Sequence, residues 1–119
     1  MTENTNEKRK AAYICAPYTG DVEKNKKAAI DFGEMAHEKG FLPIIPHLLF
    51  PYLDDETDRD EAMSMCLEVL KRCDVLLIAS DVISSGMKME IELAKKKGMP
   101  IFQFYRLGES VFAEDRLIQ

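Results

Sequence analysis

Four short apolar runs punctuate the chain: Ala11-Ala12-Tyr13-Ile14-Cys15-Ala16, Phe41-Leu42-Pro43-Ile44-Ile45, Asp74-Val75-Leu76-Leu77-Ile78-Ala79 and Met99-Pro100-Ile101-Phe102-Gln103-Phe104. Runs of this length, apolar on successive positions rather than alternate ones, predict strands buried on both faces. Between them the period changes. Asp21 stands as a cap before a helix whose Ala29, Phe32 and Ala36 fall at helical spacing, and Gly40 stops it. The acidic stretch from Asp54 to Glu61 supplies capping groups for a second helix, striped by Ala62, Cys66, Val69 and Cys73. A third helix is predicted from about Gly86 to Lys97, closed by Gly98.

Strand and helix thus alternate from the first run to the last, the pattern of a parallel sheet covered by helices on both faces. The expected fold is α/β: a single Rossmann-like, flavodoxin-like domain with a parallel sheet of four or five strands. Right-handed crossovers leave few topologies, and Pro43, which has no N–H for a ladder, belongs at an edge. Both constraints favour the strand order 2-1-3-4. Residues 1–10 have no periodicity and are expected to form a disordered leader. Residues 11–104 make the domain, and residues 105–119 a tail that adds a helix or reaches a partner subunit.

Composition narrows the function classes. The 119 residues carry a formal net charge of −5, with no basic cluster set among aromatics, so nucleic acid is not an expected partner. Three cysteines, Cys15, Cys66 and Cys73, lack metal-ligand spacing and read as reduced, packed thiols. No metal and no cofactor are expected. No apolar stretch approaches the roughly 20 residues that span a bilayer, and the first ten residues lack an apolar signal core. The expectation is a cytoplasmic protein with no membrane partner.

In a parallel doubly wound sheet the loops leaving the strands' C-terminal ends share one edge, which gathers Tyr18, His47 and residues 80–86. At roughly 100° per residue, Glu90 lies within the apolar arc of the third helix, among Met87, Ile91, Leu93 and Ala94. A carboxylate there is costly unless it bonds backbone N–H groups, pairs with a buried cation or lines a cleft. Ser84-Ser85-Gly86 brings small residues and free N–H groups to the helix start, a place suited to an anion. Asp81 reads either as a loop cap or as an acid or sugar-bonding group, and Asp74 as a structural cap or partner. His47 reads as a packed histidine or a ligand contact. Tyr18 can stack on a base, Met87 can wall the pocket, and Tyr13 reads as core.

Taken together, residues 13–18 (Tyr13-Ile14-Cys15-Ala16-Pro17-Tyr18), the strand at 74–79 and Ser85-Gly86-Met87-Lys88-Met89-Glu90 resemble the nucleoside 2-deoxyribosyltransferase superfamily. With Pro46-His47-Leu48-Leu49-Phe50-Pro51, the chain looks like short, uncharacterised bacterial and phage members of it. The similarity covers residues 11–104. It implies a flavodoxin-like fold and a nucleophilic glutamate in a Gly-x-x-x-Glu segment, which Gly86 and Glu90 match. Glu90 would attack C1′ of a 2-deoxynucleoside or deoxynucleoside monophosphate, with Ser84, Ser85 and Gly86 at ligand-contact positions; the residues' own placement adds Asp81 as the neighbouring acid and Tyr18, His47 and Met87 as substrate contacts. The resemblance also implies a homodimer or higher homo-oligomer. The approach to the glutamate, Asp81-Val82-Ile83-Ser84-Ser85-Gly86, departs from the family's Asp-x-Gly. The Gly-x-x-x-Glu spacing also occurs in nucleotide phosphoribohydrolases of the lysine-decarboxylase-like family. The alternative to N-glycosidic cleavage or transfer is a non-catalytic sensor that binds a nucleotide derivative; a third possibility is a structural subunit with Glu90 merely satisfied.

Overall fold

The computed structural model describes the backbone of residues 8–107 and 111–116, with side chains as far as Phe104. Its strands are β1 (Ala11–Cys15), β2 (Leu42–Ile44), β3 (Val75–Ile78), β4 (Ile101–Leu107) and β5 (Val111–Arg116). The helices are α1 (Val22–Glu38), α2 (Arg59–Lys71) and α3 (Ser85–Lys96), with one 3-10 turn at Pro46–Leu48. The sheet order is β2-β1-β3-β4-β5, so the expected 2-1-3-4 arrangement stands. Those four strands are mutually parallel. Pro43 sits in the outermost of them, as its missing donor requires.

The tail differs from the expected helix. β4 runs on to Leu107, and β5 turns back to pair antiparallel with it, from Phe102 opposite Arg116 to Leu107 opposite Val111. A fifth strand therefore closes one edge of the sheet antiparallel to the rest. Of the expected leader, residues 1–7 lie outside the described residues, and residues 8–10 carry no regular structure. Among the described residues no helix is long and apolar enough to cross a membrane.

Alternation along the strands divides the interior into two clusters. Ala12 and Ile14 of β1 and Val75 and Leu77 of β3 pack with Phe32, Met35 and Ala36 of α1. Tyr13 and Cys15 of β1 and Leu76 and Ile78 of β3 face the other way, against Leu70 of α2 and Met87 and Ala94 of α3. Successive side chains on a strand must take opposite sides, so the phenol of Tyr13 is committed to the α2/α3 side. Residues Cys66, Val69 and Cys73 of the predicted α2 stripe do face this cluster, half-buried at its margin.

Local chemistry sets the helix ends. Asp21 caps α1 by accepting from the Lys24 N–H at 3.2 Å, and Ser84 caps α3 by accepting from the Met87 N–H at 3.2 Å. The acidic stretch before α2 works differently from expectation. Asp54 accepts from the Glu56 and Thr57 N–H groups and Asp58 accepts from the Asp54 N–H, so these carboxylates fold the approach to the helix rather than its first turn. Asp74 ties the sheet together by accepting from the Ala11 N–H at 2.7 Å, the structural role read for it.

Gly33 fixes how closely α1 lies on the sheet. A Cβ there would stand 2.5 Å from Cδ1 and 2.9 Å from Cγ1 of Ile45, the residue before Pro46 and His47. Gly33→Val is therefore expected to destabilise the protein by about 1–3 kcal/mol through overpacking, against a helix-propensity gain of roughly a few tenths. Urea unfolding checks this. A variant as stable as the parent would show that Ile45 repacks freely.

Candidate functional site

All four parallel strands end at the same edge, where α2 and α3 begin. A cavity of about 360 Å³ opens there, within the range of small-molecule sites. Its walls come from the loop after β1, the segment that follows β2, the first turns of α2 and the start of α3. Tyr18, His47, Ser84, Ser85, Gly86, Met87 and Glu90 all line it. Residues far apart in sequence thus meet at one place.

Asp81 does not enter this cavity. It lies exposed, three residues after Ile78, the last residue of β3. The hydroxyl of Ser80 donates to the Val82 carbonyl and accepts from the Val82 N–H, while Gln103 donates to the Ser80 carbonyl at 3.0 Å. That closed turn holds Asp81 at its outer corner, away from the lining. Asp81→Asn is accordingly expected to leave ligand binding and turnover within about twofold, as for an exposed substitution far from any special contact. A large loss would show that the loop swings inward in the working protein.

Glu90 is buried, with only 7% of its surface exposed. The Tyr13 hydroxyl donates to its Oε2 at 2.6 Å, so its partner is a neutral phenol rather than a cation. Burial raises the Glu90 pKa above the ordinary glutamate value, and the hydrogen bonds from Tyr13 and Cys15 oppose that rise. The same burial, with the Glu90 charge beside it, raises the pKa of Tyr13, which stays a protonated donor. Cys15 lies behind the pair with its thiol raised by burial, and its Sγ is 4.0 Å from the Met87 carbonyl. Cys66 reaches the cavity from α2 and is likewise raised by burial. The result is a poorly solvated carboxylate aligned by one strong donor.

Tyr13, which the sequence pattern marks as core, is the residue bonded to Glu90. A tyrosine amid aliphatic neighbours on a fully buried strand was its signal, because a buried hydroxyl needs a partner. Face assignment names that partner. Tyr13 and Cys15 project to the α3 side, where Glu90 also points.

On the opposite wall, Tyr18 donates to Asp55 at 2.5 Å and joins two loops beside the cavity. The hydrogen bond to Asp55 chiefly accounts for its pKa, pushed up to about 12. Its ring lies 5.2 Å from that of His47, tilted by 56°. His47 is tethered through Nε2 to the Pro17 carbonyl at 2.8 Å, and burial lowers its pKa. At the start of α3, Gly86 leaves room for α2: a Cβ there would come within 3.1 Å of the Met63 Cε. Ser84 spends its hydroxyl on the cap, while Ser85 and Gly86 complete the cavity wall.

Fold and cavity define a single-domain, Rossmann-like α/β protein with a ligand-sized site at the carboxyl edge of its parallel strands. The chain belongs to the family described as a domain of unknown function, DUF7768, which matches residues 10–104. No curated protein matches the chain.

Proposed function

We propose that the protein cleaves the N-glycosidic bond of a 2-deoxynucleoside or deoxynucleoside monophosphate, passing the deoxyribosyl group to a second base or to water. The observation that carries this reading is the buried Glu90 carboxylate, held by the Tyr13 hydroxyl at 2.6 Å in the wall of a nucleoside-sized cavity. The resemblance in sequence supports the choice of bond. A carboxylate oxygen attacks C1′ as the C1′–N bond breaks, and its negative charge stabilises the oxocarbenium-like centre. The bonding pair leaves with the base, which takes up a proton at the open side of the cavity. A second base or water then attacks C1′ and releases the carboxylate. Poor solvation of Glu90 favours attack once it is ionised, and Tyr13 fixes which way it faces. We place this activity in the cytoplasm, where unpaired, packed thiols stay reduced, and in a homodimer or larger ring, as the resemblance implies.

Chromatography of deoxynucleosides and their monophosphates, with and without an acceptor base, tests the reading. Free or exchanged base that disappears in a Glu90 variant supports it, and a blank panel removes it. One observation favours a second reading, a module that binds a nucleotide-derived signal without turnover: Asp81, the expected acid, stands outside the cavity. In that case thermal stability rises with nucleotide concentration while no base is released.

A further inference from the structure

Charge around the cavity is unevenly divided. Its lining holds the carboxylates of Asp54, Asp55, Asp60 and Glu90 against a single cationic side chain, Arg59. Among the described residues, the ion pairs of Lys27 with Asp31 and of Arg72 with Glu68 involve none of these groups. His47 adds no charge near neutrality, since burial lowers its pKa. Lys26, whose charge reaches His47, and Glu23, whose charge reaches Tyr18, both stand outside the lining and offset each other.

The local fold holds the aspartates in place. Asp54 accepts from the Glu56 and Thr57 N–H groups at 2.8 and 3.0 Å, and those bonds keep its pKa below the ordinary aspartate value. Asp55 accepts from the Tyr18 hydroxyl. Asp60 lies in the first turn of α2, the helix end that favours a negative charge. Against them the starts of α2 and α3 supply roughly half a positive charge each, which even with Arg59 does not balance the carboxylates. At α3 the Met87 N–H is already bonded to the Ser84 hydroxyl. A cavity of about 360 Å³ is roughly as wide as the Debye length in physiological salt, about 8 Å, so an anion seated anywhere in it feels the whole wall.

We propose that the cavity takes uncharged deoxynucleosides and turns away their 5′-monophosphates, with Asp54, Asp55 and Asp60 setting that specificity. The inference rests on the N-glycosidic reading for the class of ligand. A phosphate dianion brings only acceptors to carboxylates that themselves only accept, whereas the hydroxyls of a free sugar can donate to them. The wall thus discriminates by repulsion as well as by the bonds it offers.

The test compares each of the four common deoxynucleosides with its 5′-monophosphate on the full chain, by calorimetric binding and by base release. At low salt the nucleoside should lead by about tenfold in affinity and in kcat/KM. Exposed carboxylates are screened, so that ratio should shrink several-fold as salt rises from about 0.02 M to about 0.5 M. Asp60→Asn keeps the shape of the side chain and should lower the low-salt ratio by about twofold or more, and adding Asp54→Asn and Asp55→Asn should bring it toward one. The salt series needs no variant, so it decides the matter even if the triple substitution unfolds the chain. A monophosphate that binds as well as its nucleoside at low salt overturns the proposal, as does a preference untouched by both salt and Asp60→Asn. Monophosphates cleaved as fast as nucleosides would remove the charge selection and leave the cleavage reading standing. Salt-sensitive binding of nucleosides alone, with no base released, would do the reverse. Silence from every ligand removes both.

Discussion

Glu90→Gln is expected to lower base release by about 10³-fold or more while the protein stays folded, because the amide keeps the shape of the side chain and loses the nucleophile. Stability separates this outcome from collapse of the site. Burial raises the folded-state pKa of Glu90 above its unfolded value, so the native state favours the protonated carboxyl. The stability this group contributes is complete below the unfolded pKa and is lost as pH climbs through the folded one. The glutamine variant has no such titration. Its stability relative to the parent should therefore increase as pH rises above the ordinary glutamate range, read from urea midpoints at each pH. In the parent, base release should rise along an acid limb centred above the ordinary glutamate value, as the carboxyl ionises. A variant that keeps full turnover would end the assignment of Glu90 as nucleophile.

The second large effect belongs to Tyr13. Tyr13→Phe removes the donor at 2.6 Å and leaves the carboxylate buried with less opposition to the desolvation that raises its pKa. The acid limb of base release should move to higher pH, and turnover near neutrality should fall by about tenfold, with recovery as pH rises. The groups around Glu90 that bear on this limb are Tyr13, Cys15 and Cys66, and both thiols are held protonated by burial. Stability should drop by about 1–3 kcal/mol where Glu90 is ionised, the cost of an unmade buried hydrogen bond, and by less where it is protonated. A uniform loss of rate with an unmoved pH profile would mean that Tyr13 serves packing alone.

Much of this architecture was legible in the sequence for simple reasons. Unbroken apolar runs such as residues 74–79 have little choice but to be central strands, and Pro43 cannot serve at a centre. Helical phase alone puts Glu90 on the buried face, where it lies. The misses have physical causes too. Tyr13 was hidden because a continuous apolar run does not say which side each residue takes, and its partner emerges only when β1 alternation meets the face of α3. Asp81 stands close to Glu90 in sequence, but a hydroxyl-closed turn at Ser80 and Val82 faces it away. The acidic stretch before α2 looks like ordinary capping. Only the folded chain shows Asp55 joined to Tyr18 and Asp54, Asp55 and Asp60 in the cavity wall. A fifth strand was allowed for, but neither its place in the tail nor its antiparallel direction was legible, because its pairing depends on a long-range edge offered by β4 and not on a pattern of its own.

The sheet's two sides carry different duties. Every side chain that approaches Glu90 from β1 or α2 lies on one side, while Phe32, Met35 and Ala36 of α1 meet Val75 and Leu77 on the other. Substitutions at Phe32, Met35, Ala36, Val75 and Leu77 act across the thickness of the sheet and outside the cavity lining, so their effects should add to those at the site rather than interact with them. The protein thus offers separate territories to selection and to the engineer: durability can drift or be improved at these five positions while the cavity is inherited unchanged.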